Sequence, residues 1–137
     1  MKRILLPMVC DLFHYGHLNF IKKVKENNKD SYIIIGLYSN EDVKKYKRTP
    51  ILNDNERKNI LEGCKYVNEV IFCPIDKHLE IVNEYNIDLV IHANPVDEIE
   101  KYKFIWGDIE DKFERYDYQG GICTTDIIER IKNRDDI

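Results

Sequence analysis

Apolar runs alternate with helical patterns along the whole chain. Residues 4–10, Ile-Leu-Leu-Pro-Met-Val-Cys, are almost continuously apolar and predict a first strand. Leu18, Phe20, Ile21 and Val24 then form a stripe at helical spacing that fades at Asn27-Asn28. Tyr32-Ile33-Ile34-Ile35-Gly36-Leu37 is a β-branched run of the kind that lies inside a parallel sheet covered on both faces. Asn53-Asp54-Asn55-Glu56 reads as a helix N-terminus, continued by Ile60-Leu61 and Cys64. Residues 69–73 predict a third strand, Leu79 to Val82 a third helix, and Leu89-Val90-Ile91 a fourth strand. Residues 113–118 predict a fifth strand and residues 125–132 a last helix.

Strands separated by helices of this length form βαβ units with right-handed crossovers. The expected fold class is therefore α/β: a single Rossmann-like domain with a parallel five-stranded sheet flanked by helices. It would span residues 1–132, leaving residues 133–137 as a polar, frayed tail. In such sheets ligands bind beyond the carboxyl ends of the strands, near the switch in strand order.

A chain of 137 residues supplies one core, not two. Its net charge of −4 gives no blanket attraction to nucleic acid or to an anionic membrane, so neither is expected as a partner. An anion site must instead be a local cluster. No apolar run reaches spanning length, and the N-terminal one is too short and β-like for a signal peptide. Cys10, Cys64, Cys73 and Cys123 lack paired metal spacing, which fits reduced thiols in a cytoplasmic protein.

The first strand breaks straight into His14-Tyr15-Gly16-His17, where a helix begins. A strand, a turn and a helix start would set two imidazoles beside unpaired N–H groups, a ready phosphate site. Each imidazole can donate a hydrogen bond to a phosphoryl oxygen. A metal pair, or two ordinary turn histidines, is the competing account. Further along, Lys44-Lys45-Tyr46-Lys47-Arg48 follows the second strand closely enough to fold over the sheet's carboxyl edge; otherwise it is a solvated loop. Thr124 and Thr125 open the last helix, where hydroxyls cap and the free N–H groups attract anions.

Asp11-Leu12-Phe13-His14-Tyr15-Gly16-His17 resembles the HxGH signature of the nucleotidyltransferase superfamily, most closely its cytidylyltransferases. Those enzymes act on phosphoethanolamine, phosphocholine and glycerol 3-phosphate. Gly121-Ile122-Cys123-Thr124-Thr125 resembles the family's Gly-Ile-Ser-Thr-Thr segment. Asn55-Glu56-Arg57 and Cys64-Lys65-Tyr66-Val67-Asn68-Glu69-Val70 resemble its Glu-Arg helix and its Arg-Tyr-Val-Asp-Glu-Val segment. Four motifs in the right order cover nearly the whole chain.

The resemblance implies transfer of CMP from CTP to a small phosphorylated or phosphonylated alcohol, with release of pyrophosphate. By resemblance, His14, His17 and Lys47 would be catalytic. Val9, Cys10, Asp11, Gly16, Asn94, Gly121, Ile122, Thr124 and Thr125 would meet the nucleotide. Lys45, Arg57, His78 and His92 would meet the acceptor. Magnesium would ride on the CTP phosphates with no metal cage of protein groups, and the chain would form a homodimer.

Two departures keep alternatives open. Tyr118-Gln119-Gly120 stands where the family has Arg-Thr-x, so an expected phosphate-binding arginine is missing, with Arg48 a possible substitute. Pro95 replaces a carboxylate after His92-Ala93-Asn94, and Ile75 lies near the place of an aromatic residue. A quaternary ammonium is best held by aromatic faces, so choline phosphate fits poorly. The alternatives are an ATP-using adenylyltransferase for a sugar or cofactor phosphate, or a nucleotide-binding module with weakened catalysis.

Overall fold

The computed structural model describes residues 1–93, 107–117 and 121–137. In chain order the elements are β1 (Lys2–Met8), α1 (Tyr15–Asn27), β2 (Ser31–Leu37), α2 (Asn40–Val43), α3 (Asp54–Glu62), β3 (Glu69–Phe72), α4 (His78–Glu84) and β4 (Leu89–Ala93). A 3-10 segment (Gly107–Lys112), β5 (Phe113–Tyr116) and α5 (Thr124–Lys132) follow. All strand pairs are parallel, in the order β3-β2-β1-β4-β5.

Alternation along the strands gives the one sheet an apolar layer on each face, and the two layers make up the core of the single domain. Ile4, Leu6, Ile33 and Ile35 pack with Phe20, Ile21 and Val24 of α1 and Leu61 of α3. Leu5, Ile34 and Val90 face the other way, onto Ile81 and Val82 of α4 and Ile109. Covering both faces is what makes the strands read as unbroken apolar runs. β1 to β3 step in one direction with α1 and α3 on one face. The next crossover returns past β1 and so carries α4 to the opposite face, as right-handed connections require.

Strand order therefore reverses between β1 and β4, where a crevice is expected. The ladders show how it opens. β1 pairs with β4 only at Ile4↔Leu89 and Leu5↔Val90. β1 stays paired with β2 as far as Met8↔Leu37, and β4 with β5 as far as Ala93↔Tyr116. Pro7, with no N–H to donate, stands where β1 and β4 part.

The first strand ends two residues earlier than the apolar run predicted. Cys10 and Leu12 adopt left-handed backbone (φ 54° and 50°), which ends the strand at a turn. The one-turn helix α2 was not anticipated; Ser39 caps it, its Oγ accepting from the Asp42 N–H at 3.1 Å. α3 begins as expected, with Asn53 and Glu56 capping reciprocally at 2.9 Å.

Candidate functional site

The turn after β1 is held open by its own polar groups. Asp11, 5% exposed, accepts from the Ile51 and Leu52 N–H groups at 2.7 and 2.9 Å, tying the turn to the loop before α3. Its carbonyl accepts from Thr124 Oγ1 at 3.0 Å, which brings the start of α5 alongside. Gly121 (φ 69°) leads into that helix; an added Cβ would meet the Tyr15 hydroxyl at 3.3 Å.

His14 is the N-cap of α1, and the two imidazoles cap the helix reciprocally. His14 Nδ1 accepts from the Gly16 N–H at 3.1 Å, and His17 Nδ1 accepts from the His14 N–H at 3.2 Å. The expected ring of unpaired N–H groups at this helix start is thus partly occupied, because the histidines themselves satisfy it. With both Nδ1 atoms accepting, each neutral ring carries its hydrogen on Nε2. The rings stack with centroids 3.8 Å apart, and His14 Nε2 lies 3.4 Å from Thr124 Oγ1. The Thr124 hydrogen goes to Asp11, so its oxygen receives the His14 Nε2–H.

Burial disfavours the charged form of both rings. It lowers the His14 pKa against the opposing charge of Asp126. It pushes His17 down to about 4, helped by the His14 charge and opposed by Asp11. At neutral pH the pair is uncharged.

These groups line a cavity of about 580 Å³ over the β1–β4 crevice. Val9, Cys10, Asp11, His14, Gly16, His17, Lys47, His92, Thr124 and Thr125, all expected from sequence, are among its lining residues. Lys47 and Arg48 supply the cations. The loop carrying them turns where the Lys47 N–H donates to the Val43 carbonyl at 3.0 Å. Cys10 is buried and its thiol pKa is raised by burial, so it lines the wall as a neutral thiol.

Three expected acceptor contacts depart from the sequence reading. Arg57 is completely buried and does not line the cavity. All five of its N–H groups have acceptors: Leu52 O, Val9 O, Tyr38 O, Asn40 Oδ1 and Asp54 Oδ1, at 2.6–3.2 Å. It anchors the ends of β1 and β2 and has no hydrogen left for a ligand. His78 is 2% exposed behind Tyr38, so it reaches no acceptor directly. Lys45 lies outside the cavity wall, in an exposed ion pair with Asp42 at 3.5 Å. Of the expected nucleotide contacts, Gly121 and Ile122 flank the cavity without lining it, and Asn94 lies outside the described residues.

Tyr38, Val43, Tyr46 and Pro50 also line the wall, with Pro7, Met8, Phe20, Ala93 and Cys123, and were not expected as site residues; Ile75 joins them near the place where the resemblance puts an aromatic residue. The available signal was position: a residue directly after a parallel strand faces the ligand edge.

A cytidylyltransferase-like family model matches residues 9–132. The chain is 32% identical, over 90% of its length, to a probable ethanolamine-phosphate cytidylyltransferase of Encephalitozoon cuniculi, of which the match covers 39%. It is 31% identical, over 94% of its length, to choline-phosphate cytidylyltransferase A of Mus musculus, of which the match covers 36%. The chain thus spans well under half the length of these curated relatives. Its fold matches a lipopolysaccharide core biosynthesis protein of Thermoplasma volcanium with a TM-score of 0.69 at 21% identity, covering 86% of this chain and 98% of that one.

Proposed function

The chain belongs to the cytidylyltransferase-like family, and from that premise we propose that it transfers CMP from CTP to a small phosphorylated or phosphonylated alcohol, releasing pyrophosphate. The observation that carries this reading is the single cavity where His14, His17, Lys47, Arg48, Thr124 and Thr125 meet over the crevice. An oxygen of the acceptor's phosphate attacks the α-phosphorus of CTP. The bond from that phosphorus to the bridging oxygen breaks, and pyrophosphate leaves with the electron pair. Such a displacement asks the protein for alignment and charge stabilisation, with little covalent work.

Each residue has a matching task. The Nε2–H groups of His14 and His17 donate to oxygens that gain charge in the transition state. Because the rings are neutral and pre-oriented by the cap, they do this without first losing or gaining a proton. Lys47 and Arg48 offset the repulsion between two approaching anions. Thr125 and the free end of α5 face the nucleotide phosphates. His92 borders the cavity on the β4 side.

Magnesium would neutralise phosphate charge. Among the described residues no three His, Cys, Asp or Glu side chains converge, and the Asp11 carboxylate already holds two N–H groups. By the family reading the nucleotide's own phosphates would be the ligands for the ion. A homodimer and a cytoplasmic location go with the family reading. All four cysteines are free thiols, and among the described residues no helix is long and apolar enough to cross a membrane.

The test is pyrophosphate release with CTP and with ATP, each against phosphoethanolamine, glycerol 3-phosphate, phosphocholine and related phosphonates. Turnover with CTP and at least one of these acceptors is expected. Preference for ATP would replace this reading with adenylyl transfer. Tight nucleotide binding without turnover on any acceptor would make the chain a binding module.

A further inference from the structure

Phe13 stands behind the histidines, outside the ligand cavity. It lines a second cavity, of about 530 Å³, with Leu18, Ile60 and Tyr66, and is absent from the lining of the first. Phe13 precedes the N-cap of α1 by one residue, and Leu18 follows that cap by four. This is the spacing of a hydrophobic staple, which sets the angle at which the chain enters its helix. A leucine would staple as well. The aromatic ring adds a contact that leucine could not: it stacks on His17, with centroids 5.6 Å apart and planes 14° from parallel. That separation falls in the range of offset stacking.

His17 needs such a face more than His14 does. His14 is held at both nitrogens, by the Gly16 N–H on Nδ1 and by Thr124 Oγ1 at 3.4 Å from Nε2. His17 is held at one. Its Nδ1 accepts from the His14 N–H at 3.2 Å, and among the described residues its Nε2 has no hydrogen-bond partner. A single in-plane hydrogen bond leaves a ring able to tilt about the bonded atom. Flat neighbours oppose that tilt, and His17 has His14 at 3.8 Å and 27°, and Phe13. Phe13 also packs against the apolar layer beneath α1 and α3. The series of three rings therefore runs from that layer to the wall of the ligand cavity.

Tilt matters because of what His17 has to do. A donor to an oxygen that gains charge in the transition state is effective when it is aimed beforehand. Hydrogen bonds weaken steeply once donor and acceptor fall out of line.

We propose that Phe13 is a positioning residue for the transfer: its ring holds the plane of His17 and so aims the Nε2–H at the phosphate under attack. Phe13 acts through His17 and not on the substrate. This inference rests on the CMP-transfer reading and adds a residue to it.

Steady-state kinetics on the full chain test it, with CTP affinity followed by calorimetry and stability by urea unfolding. Phe13→Leu keeps the apolar staple and removes the flat face. It should lower kcat by about 10-fold, part of the roughly 10²- to 10³-fold that loss of a whole donor costs. KM for the acceptor and CTP affinity should not move. Phe13→Tyr returns the ring and should return kcat. In a His17→Asn background, Phe13→Leu should lower kcat no further, because the ring it held is gone. If the leucine variant does not fold, Phe13→Met asks the same question. An unchanged kcat in Phe13→Leu overturns the proposal. An equal fall in the His17→Asn background, or weaker CTP and acceptor binding in step with the fall in kcat, would make Phe13 a packing residue and overturn it too. A second reading needs no turnover. Nitrogen–proton correlation spectra of the imidazoles at neutral pH should show His17 as one tautomer, protonated on Nε2, in the wild type and as a mixture in Phe13→Leu. The same single tautomer in both would sink the idea. Wild-type protein that neither binds CTP nor releases pyrophosphate refutes the CMP-transfer reading instead, and the spectra still decide whether Phe13 holds His17.

Discussion

Two polar clusters sit side by side at the carboxyl edge of the sheet, built from similar residue types and used oppositely. Around Arg57 every hydrogen bond is closed: five N–H groups meet five acceptors, and the Asp11 carboxylate holds two backbone N–H groups. Around His14 and His17 the inner nitrogens are closed on the backbone, while the rings border a cavity shared with Lys47 and Arg48. The closed cluster pins three loops where the strands end. The open cluster presents donors to a ligand. A charged residue near the site is therefore no guide to its role until its hydrogens have been assigned.

The sharpest way to break this contrast is to remove the closed cation. Arg57→Leu leaves buried carbonyls and the Asp54 carboxylate without their donor. Loss of one partner from such a buried charged network costs about 3–5 kcal/mol. Urea unfolding should show that loss. Arg57→Lys should recover part of it, because an ammonium has three donors where the guanidinium has five. A stable Arg57→Leu protein with poor acceptor affinity would return Arg57 to the ligand site.

The separation of roles also explains what could be read in advance. Five parallel strands and the helices between them were legible, since burial on both faces writes long apolar runs. The His14-Tyr15-Gly16-His17 turn was legible because its residue types are rare together after a strand. The burial of Arg57 and His78 was not. It depends on α3 and α4 lying against particular strand ends, a long-range fact that neither local spacing nor residue type encodes. The end of β1 was misplaced because left-handed backbone at Cys10 and Leu12 has no signature without glycine. α2 was missed because one turn is too short to show a period.

Acid tests the boundary between the clusters, because His17 belongs to both. His17 and His78 are held neutral, near pKa 4 when folded, against about 6.5 in the unfolded chain. Between those values the unfolded chain binds protons that the folded one does not. Stability is therefore full above pH 6.5 and falls as pH drops towards 4, by about 2–3 kcal/mol per ring. Unfolding midpoints measured from pH 7.5 to 4.5 should trace the fall. His17→Asn keeps an acceptor close to the Nδ1 position but cannot titrate, so it should flatten the slope. An unaltered slope in that variant would mean that His17 takes up its proton equally in the folded and unfolded chains and is not held neutral by the fold.

The smallest effect belongs to the residue that bridges the clusters. Thr124 Oγ1 donates to the Asp11 carbonyl and receives the His14 Nε2–H, so one hydroxyl links the closed side to the open one. Thr124→Val keeps the shape and deletes both contacts. The lost hydrogen bond should cost about 0.5–1.5 kcal/mol in urea unfolding. Turnover should fall as well, because His14 loses the partner that holds its edge in place before a phosphate arrives. Thr124→Ser should restore both properties, since it returns the hydroxyl without the methyl group. If valine lowers stability and leaves turnover intact, Thr124 belongs wholly to the closed cluster, and the cap alone orients His14.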